Sequence, residues 1–315
     1  MRIVVQADPI ESFVTRTDTS FALMLEAQGR GYEIWVCEPN DLFFVEEELR
    51  LSARKINVRE ADTDCFSVLT SSILRVNDFD VFLVRQDPPF DMKYLANTLL
   101  LDAIPHNVLV LNSPSSLRNV SEKLATLRLS KHVPPTFIGS NRDEIVKFAS
   151  KYDEVVIKPL FLSGGRMIFR SKLADSNFHK YVDAVASSEH GLVIVQQFLP
   201  GVMHNDKRVV FLEGEPVAVL GRRPKEGEFR ANIHAGGEAV RADLTSAEKI
   251  MCHDISRYLV EQGVFLAGVD LIDGYLTEIN VTSPTLIREI KYTGGPDVAK
   301  MFWDRVERKS AMFGR

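Results

Sequence analysis

The run Gly268-Val269-Asp270-Leu271-Ile272-Asp273-Gly274-Tyr275-Leu276-Thr277-Glu278-Ile279-Asn280-Val281 constrains this chain more than any other. Two apolar segments flank Asp273-Gly274, a pair typical of a two-residue hairpin turn. On a strand, Glu278 and Asn280 project from one face and Ile279 from the other. Leu276, Ile279 and Val281 do not alternate cleanly, so a polar face is forced between buried neighbours. A lone buried carboxylate is costly. Two arrangements relieve it: a salt bridge to Lys or Arg, or a hard cation such as Mg²⁺ ligated by carboxylate and amide oxygens. The two-residue turn would set Asp270 opposite Thr277 and leave Asp270 and Glu278 on opposite sheet faces. For them to share a face, the register must move by one residue. This reading expects a three- or five-residue connection such as Asp273-Gly274-Tyr275.

Upstream, apolar runs alternate with helical patterns. Ile3–Val5, Glu33–Cys37, Val81–Val84 and Val108–Leu111 read as strands, and 20–31 and 92–103 as helices, the first capped by Asp18 or Thr19. That alternation predicts an α/β domain with a mainly parallel sheet. The polar stretch Asn112–Ser116 is its expected boundary. Beyond it the pattern is α+β. Strands are expected at Val155–Pro159, Met167–Arg170, Leu192–Gln197, Val209–Leu212, Pro216–Gly221, Ala267–Ile272 and Tyr275–Val281. Helices are expected at 121–131, 142–151, 177–187 and 245–262. The units are therefore 1–117, 118–200 and 201–315.

The 38 basic and 43 acidic residues leave a net charge of −5, which advertises no nucleic-acid partner. No apolar run reaches the roughly 18 residues of a membrane helix, and Met1–Gln6 is too short for a signal peptide. Cys37, Cys65 and Cys252 are widely spaced and read as reduced thiols of a cytoplasmic protein.

Three further clusters could carry chemistry. Lys158 ends an apolar run and precedes Ser163-Gly164-Gly165, where backbone amides can approach a phosphate; an ordinary hairpin with a surface lysine has the same pattern. Gln196-Gln197-Phe198-Leu199 ends a strand whose exposed backbone could pair with an adenine edge, or simply meets the Pro200-Gly201 turn. Asp206-Lys207-Arg208, Arg222-Arg223 and Arg230-Ala231-Asn232 gather guanidinium groups suited to carboxylates and phosphates, or form a solvated charged loop.

Together with Asp8-Pro9-Ile10, Asp18-Thr19-Ser20-Phe21, Arg85-Gln86-Asp87-Pro88-Pro89-Phe90-Asp91, Glu122-Lys123-Leu124, Lys158-Pro159-Leu160, Ala235-Gly236-Gly237 and Leu276–Thr285, these clusters resemble the bacterial glutathione synthetases of the ATP-grasp ligases. The resemblance covers almost the whole chain in order. It implies an N-terminal α/β domain followed by a two-lobed ATP-grasp domain with antiparallel sheets. It implies ATP-dependent joining of γ-glutamylcysteine and glycine through an acylphosphate. Lys123, Lys158, Ser163, Gly164, Gly165 and Asp206 would serve the ATP phosphates, and Gln196, Gln197, Phe198 and Leu199 the adenine. Arg208 and Arg222 would be the catalytic cations, and Arg230, Asn232, Ser283 and Thr285 would meet the substrates. Asp270, Glu278 and Asn280 would hold two Mg²⁺ or Mn²⁺ ions. A homo-oligomer, dimer or tetramer, is implied as well, and Gly221–Gly237 is the natural lid.

One departure stands out. The family follows Lys-Pro-Leu with Asp-Gly, whereas this chain has Phe161-Leu162. Leu does not adopt positive φ cheaply. The rival readings are an ATP-grasp ligase for another carboxylate and amine, and a catalytically silent nucleotide-binding protein.

Overall fold

Apolar β-branched runs form the strands, and polar caps start the helices. The computed structural model describes residues 1–312 apart from 163, 189–190, 229, 232, 234 and 235. The first sheet contains β1 (Arg2–Ala7), β2 (Glu33–Cys37), β3 (Leu42–Val45), β4 (Glu48–Val58), β5 (Phe66–Arg75), β6 (Val81–Arg85) and β7 (Leu109–Leu111). β2, β1, β6 and β7 run parallel, with β7 at the edge. β3, β4 and β5 add an antiparallel arm that the sequence reading did not anticipate. Most of β5 is exposed on both faces, so it lacks the alternation that betrays a half-buried strand.

α1 (Thr19–Gly29) starts where expected, with the Asp18 side chain accepting from the Phe21 amide at 2.7 Å. α2 (Met92–Leu100) and α3 (Pro114–Asn119) follow. The helix expected at 121–131 is instead a 3-10 segment, Ala125–His132, broken by non-helical backbone at Leu129.

The second sheet orders as β10 (Phe169–Ser171), β9 (Val155–Lys158), β11 (Val193–Gln197) and β8 (Thr136–Gly139), all antiparallel. α4 (Arg142–Ala149) and α5 (Phe178–Ser188) pack on it, closing a separate core around Ile157, Phe178, Val182 and Val195. The third sheet orders as β14 (Glu238–Arg241), β13 (Glu215–Arg223), β12 (Asp206–Leu212), β15 (Leu266–Ile272) and β16 (Tyr275–Asn280). α6 (Ser246–Glu261), α7 (Ile287–Tyr292) and α8 (Val298–Met312) accompany it.

The first and third sheets share their hydrophobic cores. Val4, Trp35 and Phe82 pack in one cluster with Val209, Ile255, Leu271 and Ile279. Ile3, Phe21 and Met24 pack in another with Leu266, Phe302 and Trp303. Asn112, in the polar stretch Asn112–Ser116, is buried at this junction. Its side-chain oxygen accepts from the Phe265 and Leu266 amides, and its nitrogen donates to the Leu266 and Val281 carbonyls, all within 2.7–2.9 Å. One side chain thus pins the end of the first sheet to β15 and to the residue following β16.

Candidate active site

The β15–β16 hairpin settles the register question. Asp273 and Gly274 form a two-residue turn with φ of 50° and 75°, the positive values of a type I′ hairpin. Ile272 faces Tyr275 and Leu271 faces Leu276, as that turn dictates. The ladder then shifts: Asp270 faces Glu278, Val269 faces Ile279 and Gly268 faces Asn280. A β-bulge at Thr277 supplies the extra residue. The expectation of a three- or five-residue connection is therefore wrong, because register can change inside a strand as well as at its turn.

Through this shift Arg208, Asp270 and Glu278 stand in one row across β12, β15 and β16. Asn280 lies in the next same-face position, across from Gly268. Arg208 lies over Gly268, where any Cβ would meet Nη1 at 2.9 Å. Asn280 Nδ2 donates to the Gly268 carbonyl at 3.2 Å, so its side-chain oxygen is the atom that could serve as a ligand.

The two carboxylates are treated differently. Asp270 is buried and held by Arg208, through Nε and through Nη2 at 2.9 Å, and by Arg222 Nη2 at 3.2 Å. Burial opposes its ionisation, but the two guanidinium groups outweigh burial and hold its pKa below the ordinary carboxylate value. Glu278 takes part in no ion pair among the described residues. The salt-bridge alternative thus describes Asp270 and not Glu278. Asp206, also buried, accepts from Arg222 Nε at 2.8 Å; burial pushes its pKa up to about 6, partly offset by that arginine.

Sequence reasoning passed over Glu122. Its carbonyl accepts from the Ile279 amide at 2.9 Å, which lays residues 121–124 against β16. Its carboxyl is pushed up to about 7 by burial and by the negative charge of Glu278. In sequence Glu122 stands only within the Glu122-Lys123-Leu124 match, with no role assigned to it. Only the docking of this segment on β16 reveals the crowding of like charges, which a divalent cation would relieve.

Two lysines line the same cleft. Lys123 Nζ donates to Glu122 Oε1 at 2.7 Å and to the Leu162 carbonyl at 2.9 Å. Lys158, at the end of β9, is buried and donates to Gln196 Oε1 at 3.1 Å. Burial lowers its pKa. Gly164 and Gly165 adopt φ of 71° and 74°, and Arg230 Nη1 reaches the Gly165 carbonyl at 3.3 Å. Arg230 Nε is buried with no partner among the described residues. Ser163 and Asn232 lie outside the described residues. Phe161 is 44% exposed.

At the other end, Phe198, Val202, Ala231, Val156 and Ile272 make a small apolar cluster. The Gln197 and Phe198 amides are already bonded, to the Pro135 and Glu154 carbonyls, while the Leu199 amide takes no backbone partner among the described residues.

These groups line one cleft of about 380 Å³, which also includes Ser283 and Thr285. A larger cavity of about 570 Å³ lies beside Asp8, Cys37 and Arg54 and contains none of the predicted site residues. No group of three or more His, Cys, Asp or Glu among the described residues could by itself hold a metal ion. The donor set is two carboxylates and an amide, hard oxygens that fit Mg²⁺ once phosphate and water complete its shell. No helix among the described residues is long and apolar enough to cross a membrane.

Residues 1–118 match the family model for the prokaryotic glutathione synthetase N-terminal domain, and residues 122–295 that for its ATP-grasp domain. The glutathione synthetase of Rhodopseudomonas palustris is 40% identical over 311 residues, covering 99% of both chains. That of Escherichia coli strain K12 is 38% identical over 313 residues, covering 98% of both. Among solved structures, the ATP-grasp ligase PsnB, complexed with a phosphomimetic precursor variant, Mg and ADP, superposes with a TM-score of 0.66 at 15% identity, covering 98% of both chains. A D-alanine–D-alanine ligase from Bacillus anthracis complexed with ATP gives 0.61 at 15% identity, covering 99% of this chain and 98% of that one. The last two likenesses speak to the fold, and the first four to descent: the chain belongs to the prokaryotic glutathione synthetase family of ATP-grasp ligases.

Proposed function

We propose that this protein joins γ-glutamylcysteine to glycine at the expense of ATP, and that the cleft between the second and third sheets is where it does so. The observation that carries the reading is the shared face of Asp270, Glu278 and Asn280, in one cleft with Lys123 and Lys158. The dipeptide carboxylate oxygen attacks the γ-phosphorus, ADP leaves, and the acylphosphate forms. Glycine's amine then attacks the acyl carbon, phosphate departs, and the nitrogen loses a proton. Catalysis of this kind is positioning and charge neutralisation.

The apolar cluster around Phe198 suits an adenine ring, with the Leu199 amide as a free donor at its edge. Lys123, Lys158 and the 163–165 turn take the phosphates, with Asp206 beside them. Lys123 would exchange the Leu162 carbonyl for a phosphate oxygen. Asp270, Glu278 and Asn280 would hold Mg²⁺, or Mn²⁺, as a pair of ions. When bound, the metal neutralises phosphoryl oxygens and orients them. Arg208 and Arg222 hold Asp270 ionised and place positive charge beside the transferring group. Arg230 and Asn232 meet the substrate carboxylates, and Ser283 and Thr285 line the acceptor end. The units 1–117, 118–200 and 201–315 would carry the substrate side, the first ATP lobe and the metal lobe, with 221–237 as the lid. A cytoplasmic homo-oligomer, dimer or tetramer, without nucleic-acid or membrane partners completes the proposal.

Phosphate release with ATP, γ-glutamylcysteine and glycine tests it. Turnover should require all three. Release that ignores the dipeptide, or prefers another carboxylate, would assign the scaffold to a different ligase. No release would leave a silent nucleotide binder.

A further inference from the structure

Leu276 and Ile279 are both fully buried in the same core cluster. Three positions apart, they could not share a face of a regular strand, where side chains alternate. Between them lies Thr277, the one residue of the Tyr275–Asn280 strand without a counterpart on β15. Had the ladder continued from its turn, Asp270 would face Thr277, and Glu278 would enter the core beside Val269. The Thr277 side chain lines the cleft with Glu278, and its hydroxyl donates to the Asp270 carbonyl at 3.1 Å.

We propose that Thr277 is a positioning residue. As the bulged residue it moves Glu278 and Asn280 onto the face of Asp270, and its hydroxyl fastens the shifted register to the backbone of Asp270 itself. This rests on the reading of Asp270, Glu278 and Asn280 as the metal-holding face. The physical reason is economy of donors. A bulge disrupts the ladder locally, and a buried carbonyl at such a point needs a donor. A hydroxyl on the extra residue supplies one without lengthening the turn. The bond also ties the one residue that creates the shift to the strand that carries the opposing ligand.

The test measures Mn²⁺ binding in the presence of ADP by electron paramagnetic resonance, with melting temperatures taken in parallel. Thr277→Val preserves the branched shape and removes the donor. It should weaken Mn²⁺ about 10-fold, at the low end of what loss of an outer-shell partner costs. Thr277→Ser keeps the hydroxyl and should bind within about two-fold of wild type by the same comparison. A purely structural role would lower the melting temperature of Thr277→Val and leave Mn²⁺ affinity unmoved, which would overturn the inference. Equal weakening by Ser and Val would also overturn it, since the hydroxyl would then not be the fastening. Should Thr277→Val fail to fold, Thr277→Ala against Thr277→Ser makes the same comparison. Glu278→Gln serves as the control for the underlying reading: if it binds Mn²⁺ like wild type, the metal face is misassigned and the role of Thr277 falls with it.

Discussion

Asp270 and Glu278 face each other across adjacent strands, yet of the two only Asp270 forms ion pairs among the described residues, with Arg208 and Arg222. Glu278 is the carboxylate of the pair with no ion-pair partner among the described residues. Glu278→Gln should therefore spare the fold and cripple turnover, on the order of 10³-fold by comparison with other charge-stabilising groups. Steady-state rates at saturating Mg²⁺ check this, and near-normal turnover would remove Glu278 from the metal site.

Arg222 sits between two buried carboxylates, Asp206 and Asp270. Removing it takes the guanidinium partner from Asp206 and leaves Asp270 with Arg208 alone. Arg222→Ala should destabilise the protein by about 3–5 kcal/mol, the usual result of breaking a buried pair from one side. Denaturant unfolding measures the loss. A stability unchanged within error would mean that Asp206 and Asp270 find other partners.

The Phe161-Leu162 departure has a structural reading. Phe161 lies outside the buried core, and the Leu162 group that Lys123 contacts is its backbone carbonyl. Restoring Asp-Gly should therefore cost less than the roughly 2–5 kcal/mol of a core deletion, while tightening ATP. A melting curve and an ATP titration on one sample give both quantities.

Asn112 makes four hydrogen bonds at the junction of the first and third sheets. Asn112→Ala leaves buried backbone groups unpaired, each costing about 1–3 kcal/mol. The variant should unfold at markedly lower denaturant. A shift smaller than one such group would show that water replaces the side chain.

Glu33 accepts from Lys55 Nζ at 2.8 Å, Trp35 Nε1 at 2.5 Å and Arg2 Nε at 2.9 Å. The bond from Lys55 is the largest influence. Against partial burial, and with help from Trp35 and Arg2, it lowers the Glu33 pKa from 4.5 to about 2. The unfolded chain binds this proton at the higher pH, so the stabilisation is present above about pH 4.5 and fades as pH falls towards 2. Unfolding free energy of wild type and Glu33→Gln should therefore converge over that window, and parallel curves would contradict the assignment.

Local chemistry determined much of this protein from sequence alone. Asp18 capped α1, Asp273-Gly274 turned the hairpin, and the strand ending at Lys158 and the Glu278–Asn280 face could be read from residue type and spacing. Even the bulge left a trace, in Leu276 and Ile279 at a spacing no regular strand can bury. What the sequence did not carry was long-range partnership. Arg208 and Arg222 read as cations awaiting a ligand, and the fold commits them to Asp206 and Asp270. Asn112 read as a boundary and became a buried fastener, and Glu122, given no role in the sequence, came to lie beside Glu278. Each of these outcomes depends on which strand arrives next to which. Burial and the proximity of another charge are properties of the assembled sheets, and no spacing along the chain encodes them.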